Sequence, residues 1–188
     1  MLLKKIWSLL PERCKKIIYF LRSYWQQGRI VYQAKTPYSF LQVFDKKGYR
    51  YLVFKDRSRP FSLERPENIY QSYMSLDNPA CNNAPHTDFF HFAWIFNPEL
   101  KTILMIGLGG GTVPRRFLND YPEINFKTVE IDPVVVKVAY KYFFLPRDPR
   151  HKVIVNDGRN FIRKSRKQVD LILLDAFFPV VSPITYLR

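Results

Sequence analysis

Apolar positions change their period along this chain. Between residues 1 and 33, Ile17, Leu21, Tyr24 and Trp25 fall at i, i+4, i+7 and i+8, the stripe of an amphipathic helix. From Thr36 the period shortens to two β-type runs, YSFLQVFD and YRYLVFKD, separated by Lys46, Lys47 and Gly48, which predicts a hairpin with glycine in its turn. Glu64 to Pro85 carries Pro66, Pro79 and Pro85 and reads as a loop-rich connection with one short helix at best. Asp88 to Phe96 is aromatic and apolar, the pattern of a buried helix.

After Lys101 strand and helix patterns alternate. TILMIG is a β run, Thr112 to Asp120 is helical, and FKTVEI is β again. Asp132 then Pro133 is an N-cap acid followed by proline at the first helical position, opening VVVKVAYKYF. KVIVND is β, NFIRKSRK helical and VDLILLDAF β. Such alternation implies right-handed crossovers and a parallel sheet. The expected fold is α/β, a partial Rossmann-like, class I methyltransferase-type sheet with a small N-terminal β-hairpin unit. The expected organisation is a basic amphipathic arm over 1–35, a β unit and linker over 36–85, and a nucleoside-cofactor-binding domain over 86–188.

Composition narrows the class. With 188 residues, 47% hydrophobic and 24% charged, the chain fits one domain with a small appendage and excludes wholesale disorder or a collagen-like fibre. Charged residues interrupt every apolar run before the ~18–20 residues that a membrane-spanning helix requires. Cys14 and Cys81 lie far apart in a chain with no evident export signal, which points to the reducing cytoplasm and away from a disulfide framework. The net charge of +14 favours anionic contacts. Residues 1–33 carry seven basic side chains and one acid, 7 − 1 = +6, so the arm either packs on the protein or a partner, or lies on an anionic membrane face. Pro146 to Gln168 carries eight basic residues and two acids, 8 − 2 = +6, read as a solvated face or as a nucleic-acid contact.

The sharpest chemical signal is ILMIGLGGGT. Gly107, Gly109 and Gly111 follow a buried strand and precede a helix, where glycine lets the backbone turn tightly and approach a ligand. Glu130 ends the next strand, where a carboxylate accepts the ribose hydroxyls of a nucleoside cofactor. The sixth place of the dinucleotide pattern is Thr112, and the G-x-G-x-G spacing suits adenosyl-methionine-type cofactors instead. Asp157 and Gly158 end the third strand, with Asp157 read as an adenine contact, a helix N-cap, or both. Asp175 ends the fourth strand at the carboxyl edge of the sheet, facing a ligand crevice or capping a turn.

Together IGLGGGTVPRRF, TVEIDPVVVKVAYKYF, DPRHKVIVNDGRNFI and VDLILLDAF resemble the spermidine synthase (polyamine aminopropyltransferase) family, over roughly residues 36–188 and nearest to a divergent, C-terminally short branch. The resemblance implies a transferase of polyamine biosynthesis. It would pass an aminopropyl group from decarboxylated S-adenosylmethionine to a small-molecule amine, with Gly107, Gly109, Glu130 and Asp157 as cofactor contacts and Asp175 as the acid left to deprotonate the amine. The alternatives are an S-adenosylmethionine-dependent methyltransferase and a non-catalytic adenosyl-binding remnant. Met105 stands where many methyltransferases carry an acid.

Departures accompany the matches. Gly110 stands where the family commonly has Asp, Phe178 stands where it has a second acid, and its Tyr-His-Glu element is answered by Phe90, His91 and Phe92. His86, Asp88 and His91 form H-x-D-x-x-H, but the surrounding phenylalanines favour a packed helix, and no metal is assigned. The chain ends 188 − 175 = 13 residues after Asp175, so the expectation is a sheet truncated after the fourth strand, with an apolar edge that a homo-oligomeric partner or the N-terminal arm would cover. The expected location is cytoplasmic or peripheral to the membrane.

Overall fold

The computed structural model describes residues 28–55, 70–79 and 85–176, together with Pro11. The amphipathic stripe at Ile17 to Trp25 and both cysteines lie outside the described residues, as does Phe178.

Strands β1 (Arg29–Lys35), β2 (Phe40–Lys46), β3 (Tyr49–Lys55) and β4 (Tyr70–Ser75) form an antiparallel sheet in the order β1-β2-β3-β4. The hairpin expected from YSFLQVFD and YRYLVFKD is β2 and β3, with Lys46 opposite Tyr49. Its two turn residues, Lys47 and Gly48, have φ of 51° and 78°. Positive φ at both central positions is the geometry that follows the twist of the flanking strands. Two elements correct the sequence reading. β1 falls in the stretch assigned to the basic arm, and β4 falls in the stretch read as loop. Prolines at 66 and 79 flank β4 without entering it, so its six residues remain free to pair with β3.

A 3-10 helix (Pro85–Phe92) runs into a short helix α1 (Ala93–Phe96). The expected buried helix is corrected here as well, since Phe89, Phe92, Ile95 and Phe96 are exposed, the last to 87%. Only one side of the segment packs: Phe90, Ala93 and Trp94 join the core, with Trp94 stacked on Tyr121 at 3.7 Å between ring centroids.

The second sheet is parallel, with β5 (Thr102–Ile106), β6 (Asn125–Glu130), β7 (His151–Val155) and β8 (Leu171–Leu174) in the order β7-β6-β5-β8. Helices α2 (Thr112–Asp120), α3 (Pro133–Tyr142) and α4 (Gly158–Lys164) connect them. The crossover from β7 to β8 skips two strands, which places the carboxyl ends of β5 and β8 side by side at the reversal of strand order, where ligands enter open α/β sheets. The fold is therefore the expected α/β class, a Rossmann-like parallel sheet with an antiparallel N-terminal sheet. β8 pairs on one side with β5, and Ile172 and Leu174 are half exposed while Leu173 points into the core.

The two sheets share an interior. Leu41, Val43, Leu52 and Met74 pack with Val135, Val138 and Phe143. Two arginines reinforce the contact at the C-terminus of α3. Arg50 donates to Tyr142 O at 2.9 Å while gripping Asp45 through both guanidinium edges, and Arg115 donates to Phe143 O at 2.5 Å. Arg150, counted above with a solvated basic face, instead clamps Asp148 and the carbonyls of Leu118 and Pro122. Among the described residues no helix is long and apolar enough to cross a membrane.

Candidate functional site

The glycine loop leaves β5 and turns into α2 through three left-handed residues, Gly107 (φ 95°), Gly109 (φ 54°) and Gly111 (φ 73°). The space around them is as restrictive as the dihedrals. A Cβ on Gly107 would strike the backbone carbonyl of Asp175, so the loop and the end of β8 pass each other at glycine-only distance. At Gly110 the obstruction is different: a Cβ would lie 2.8 Å from Phe143 and 2.9 Å from the Cβ of Ser72. The family's loop Asp has no room at this position without repacking Phe143 and Ser72.

Glu130 ends β6 opposite this loop and is 7% exposed. Its Oε2 accepts the Leu108 amide at 2.9 Å and its Oε1 accepts the Asp132 amide at 3.0 Å. Burial pushes the carboxyl up from its ordinary value, and the backbone amides at Asp132, Leu108 and Ile131 pull against that rise. Each oxygen retains lone-pair capacity for a further donor.

Asp132 caps α3, with Oδ1 accepting the Val134 amide at 2.8 Å. Its Oδ2 is buried and has no partner among the described residues. Asp157 caps α4, accepting the Asn160 amide at 3.0 Å, so the capping role foreseen for it is present. It also stands 4.0 Å from the Arg159 guanidinium. A Cβ on Gly158 would lie 2.5 Å from Ile106 Cγ2, so glycine lets α4 start against the end of β5.

These residues meet in one cleft of about 250 Å3. Gly107, Gly109, Glu130, Asp157, Gly158 and Asp175 all line it; Gly111 does not and sits behind the loop against Leu145. The antiparallel sheet supplies the facing wall through Tyr38, Ser39, Phe54, Gln71 and Ser72. Ser72 also holds the loop, since its Oγ accepts the Gly110 amide at 2.8 Å and donates to Gln71 O at 2.8 Å. A smaller pocket of about 40 Å3 adjoins, lined by Tyr70, Tyr73, Thr112 and Val113 together with Gln71, Ser72, Leu108 and Asp175. Asp175 thus lines both spaces, and it is the one acid of the smaller among the described residues. Its amide donates to Ile106 O at 2.9 Å, fixing the backbone at the β5–β8 junction.

Sequence reasoning missed the wall from β1–β4, because Gln71 and Ser72 lay in the stretch read as linker. The signal available was the pair of β-favouring tyrosines, Tyr70 and Tyr73, in a proline-free run between Pro66 and Pro79, although the register shift in β4 breaks a strict period of two. Of the H-x-D-x-x-H residues, His91 packs on Phe117 and its Nδ1 lies 2.7 Å from the Tyr121 hydroxyl. Among the described residues no three His, Cys, Asp or Glu side chains converge as a metal-binding group.

A parallel β7-β6-β5-β8 sheet with a glycine loop, an acid at the end of the neighbouring strand and a cleft at the switch point defines a Rossmann-like α/β fold. Residues 83–185 match the Spermine/spermidine synthase domain, and the chain belongs to that family. Polyamine aminopropyltransferase of Vibrio vulnificus (strain CMCP6) is 32% identical over 160 residues, covering 80% of this chain and 49% of the relative. A crystal structure of spermidine synthase in complex with the transition-state analogue AdoDATO superposes with a TM-score of 0.64 at 19% identity, covering 85% of this chain and 50% of that one. A probable spermidine synthase from Corynebacterium glutamicum gives 0.64 at 20% identity, over 81% and 54%. At these identities the structures speak to the fold. The chain spans about half the length of the curated relatives it matches.

Proposed function

We propose that this chain serves aminopropyl transfer in polyamine biosynthesis, binding decarboxylated S-adenosylmethionine in the larger cleft and receiving a small amine from the pocket beside Asp175. The observation that carries the reading is Glu130, buried at the end of β6 with both oxygens oriented by backbone amides and with capacity to accept further hydrogen bonds in the cleft. A ribose diol presents two donors, which this carboxylate is built to receive. The buried, unpartnered Oδ2 of Asp132 beside it also fits a donor-rich ligand.

When bound, the sulfonium cofactor supplies an electrophilic methylene and a good leaving group. The chain's own contribution is placement and proton handling. Gly107 and Gly109 let the loop backbone reach the ligand, while Asp157 and Gly158 close the far end of the cleft. Asp175, on the wall common to both spaces, holds the ammonium of the acceptor by charge and takes its proton as the amine becomes nucleophilic. The serine and glutamine of β4 close the site from the opposite side.

The test is a thermal-shift titration with the decarboxylated and the unmodified cofactor side by side. The reading expects both to stabilise the protein, the decarboxylated form at lower concentration. Stabilisation only by the carboxylated form would transfer the protein to the methyltransferase class, and stabilisation by neither would remove the cofactor.

A further inference from the structure

Between Asp157 and Asp170 the chain carries Arg159, Arg163, Lys164, Arg166 and Lys167 and not one acid. The ends of this stretch are fixed. Phe161 and Val169 pack against Leu104, Ile106 and Val129, and Asp170 accepts the amides of Lys101 and Thr102. Between these anchors the chain leaves α4 at Ser165, whose amide donates to Phe161 O at 2.9 Å, and residues 162–168 are all exposed. The cations are thus displayed on a framed surface.

Their lack of partners separates them from the other arginines of the parallel-sheet region. Arg116 pairs with Asp120, Arg150 pairs with Asp148, and Arg115 donates to Phe143 O. Arg159 stands beside Asp157 at the cleft. The side chains of Arg163, Lys164, Arg166 and Lys167 make no ion pair or hydrogen bond among the described residues. Arg163 and Lys164 lie in the last turn of α4, where they suit the helix dipole, but Arg166 and Lys167 lie beyond it. Four like charges in five residues repel one another and are stabilised by an anion from outside the chain.

The kind of anion follows from what the strip lacks. A membrane-surface helix inserts a broad apolar face, whereas here Phe161 turns into the core and Ile162, 40% exposed, lines the cleft. A protein interface needs a buried apolar or aromatic centre inside its polar rim, which four adjacent cations do not supply. Nor does the strip offer an aromatic platform on which unpaired bases could stack. Cations alone match a phosphate backbone, where arginine forks take phosphate oxygens in pairs and sequence is not read.

We infer that Arg163, Lys164, Arg166 and Lys167 form a docking strip for the phosphate backbone of duplex nucleic acid, bound without sequence preference. The strip is independent of the transfer reaction.

The experiment is fluorescence-anisotropy binding of two short duplex DNAs of unrelated sequence to the full chain across a salt series. Four phosphate contacts contribute about −3.6 to the slope of log K against log salt, or about a hundredfold in affinity between 50 and 200 mM. Arg163→Gln, Lys164→Gln, Arg166→Gln and Lys167→Gln together should flatten the slope by about 3–4 and weaken binding at least about tenfold at the lower salt. Lys4→Gln, Lys5→Gln, Lys15→Gln and Lys16→Gln together remove the same net charge and should weaken it by less than about threefold. In the unaltered protein, bound duplex should slow acetylation of Lys164 and Lys167, a readout that needs no variant. Equal losses in the two variants, or acetylation rates unchanged by saturating duplex, overturn the strip. Affinities for the two sequences that differ by more than about tenfold overturn backbone-only binding. Capture of phosphatidylserine vesicles that the strip variant loses while keeping its duplex affinity overturns the nucleic-acid assignment in favour of lipid headgroups.

Discussion

The Gly110 amide donates to the Ser72 hydroxyl across 2.8 Å, so a residue of the antiparallel sheet sets the shape of the loop that opens the parallel one. The relationship is steric as well as polar, since a Cβ on Gly110 would lie 2.9 Å from the Ser72 Cβ and 2.8 Å from Phe143. Ser72→Ala should therefore cost about 1 kcal/mol of stability, the net value of one such bond. Gly110→Ala should cost about 1–3 kcal/mol through overpacking. Urea unfolding of the two variants measures both, and a Gly110→Ala protein as stable as the wild type would contradict the crowding.

His151 gives the protein an acid-sensitive element. Its Nε2 lies 2.9 Å from Thr128 Oγ1, its Nδ1 is buried without a partner among the described residues, and burial lowers its pKa from the usual 6.5 to about 4. The folded state binds the imidazolium proton less readily than the unfolded chain. The contribution of this neutral histidine is thus fully present above about 6.5 and is lost as pH falls through about 4, an effect of order 2–3 kcal/mol. His151→Gln should flatten the stability profile between these limits, as read from denaturant midpoints at pH 7, 5.5 and 4.5. An unaltered profile would place the acid limb elsewhere.

Glu130 shifts in the opposite sense. With its folded pKa above the ordinary 4.5, the folded state holds the proton more tightly, so its contribution is largest at low pH and diminishes as pH rises through the raised value. Glu130→Gln removes that slope and also sets an amide N–H against the amide of Leu108 or Asp132. The expected result is a variant that folds but shows at least about tenfold weaker binding of the decarboxylated cofactor, a loss near 1.4 kcal/mol. Equal affinity in calorimetry would remove the ribose role.

Asp175→Asn keeps size and shape while removing the charge and the base. Binding of the decarboxylated cofactor should survive within about threefold. Turnover of a competent preparation should fall by about 10²–10⁴, and the remaining rate should rise with pH as the acceptor loses its proton to solvent. A pH–rate profile identical to wild type would assign proton removal to another group.

How much of this was legible in the sequence varies with how local the cause is. The Asp132-Pro133 start of α3, the limits of α2 at Thr112 and Asp120, and the loop Gly107 to Gly111 were readable because caps, helical periodicity and tight turns are set by neighbours in the chain. Glu130 was readable because a strand's last residue has a predictable place at the sheet edge. β1 and β4 were not, because an edge strand with mixed polar and aromatic residues is stabilised by its partner across the sheet, and that partner cannot be seen in a six-residue window. Asp88 to Phe96 shows the opposite failure: apolar content alone did not say that half of it faces outward. The second pocket at Asp175 was invisible for the same reason as β4, since two of its walls come from that strand.

The interior shared by Leu41, Val43, Leu52 and Met74 with Val135, Val138 and Phe143 has a consequence for biosynthesis. Among the described residues, the surface that completes the inward side of the antiparallel sheet is encoded after the glycine loop. During translation β1 to β4 emerge with their inward side open and must wait for α3 before that side can be buried. Closing so long a stretch of chain is slow relative to forming a hairpin. The inward side of β1–β4 is thus completed only once the chain through Phe143 has been made.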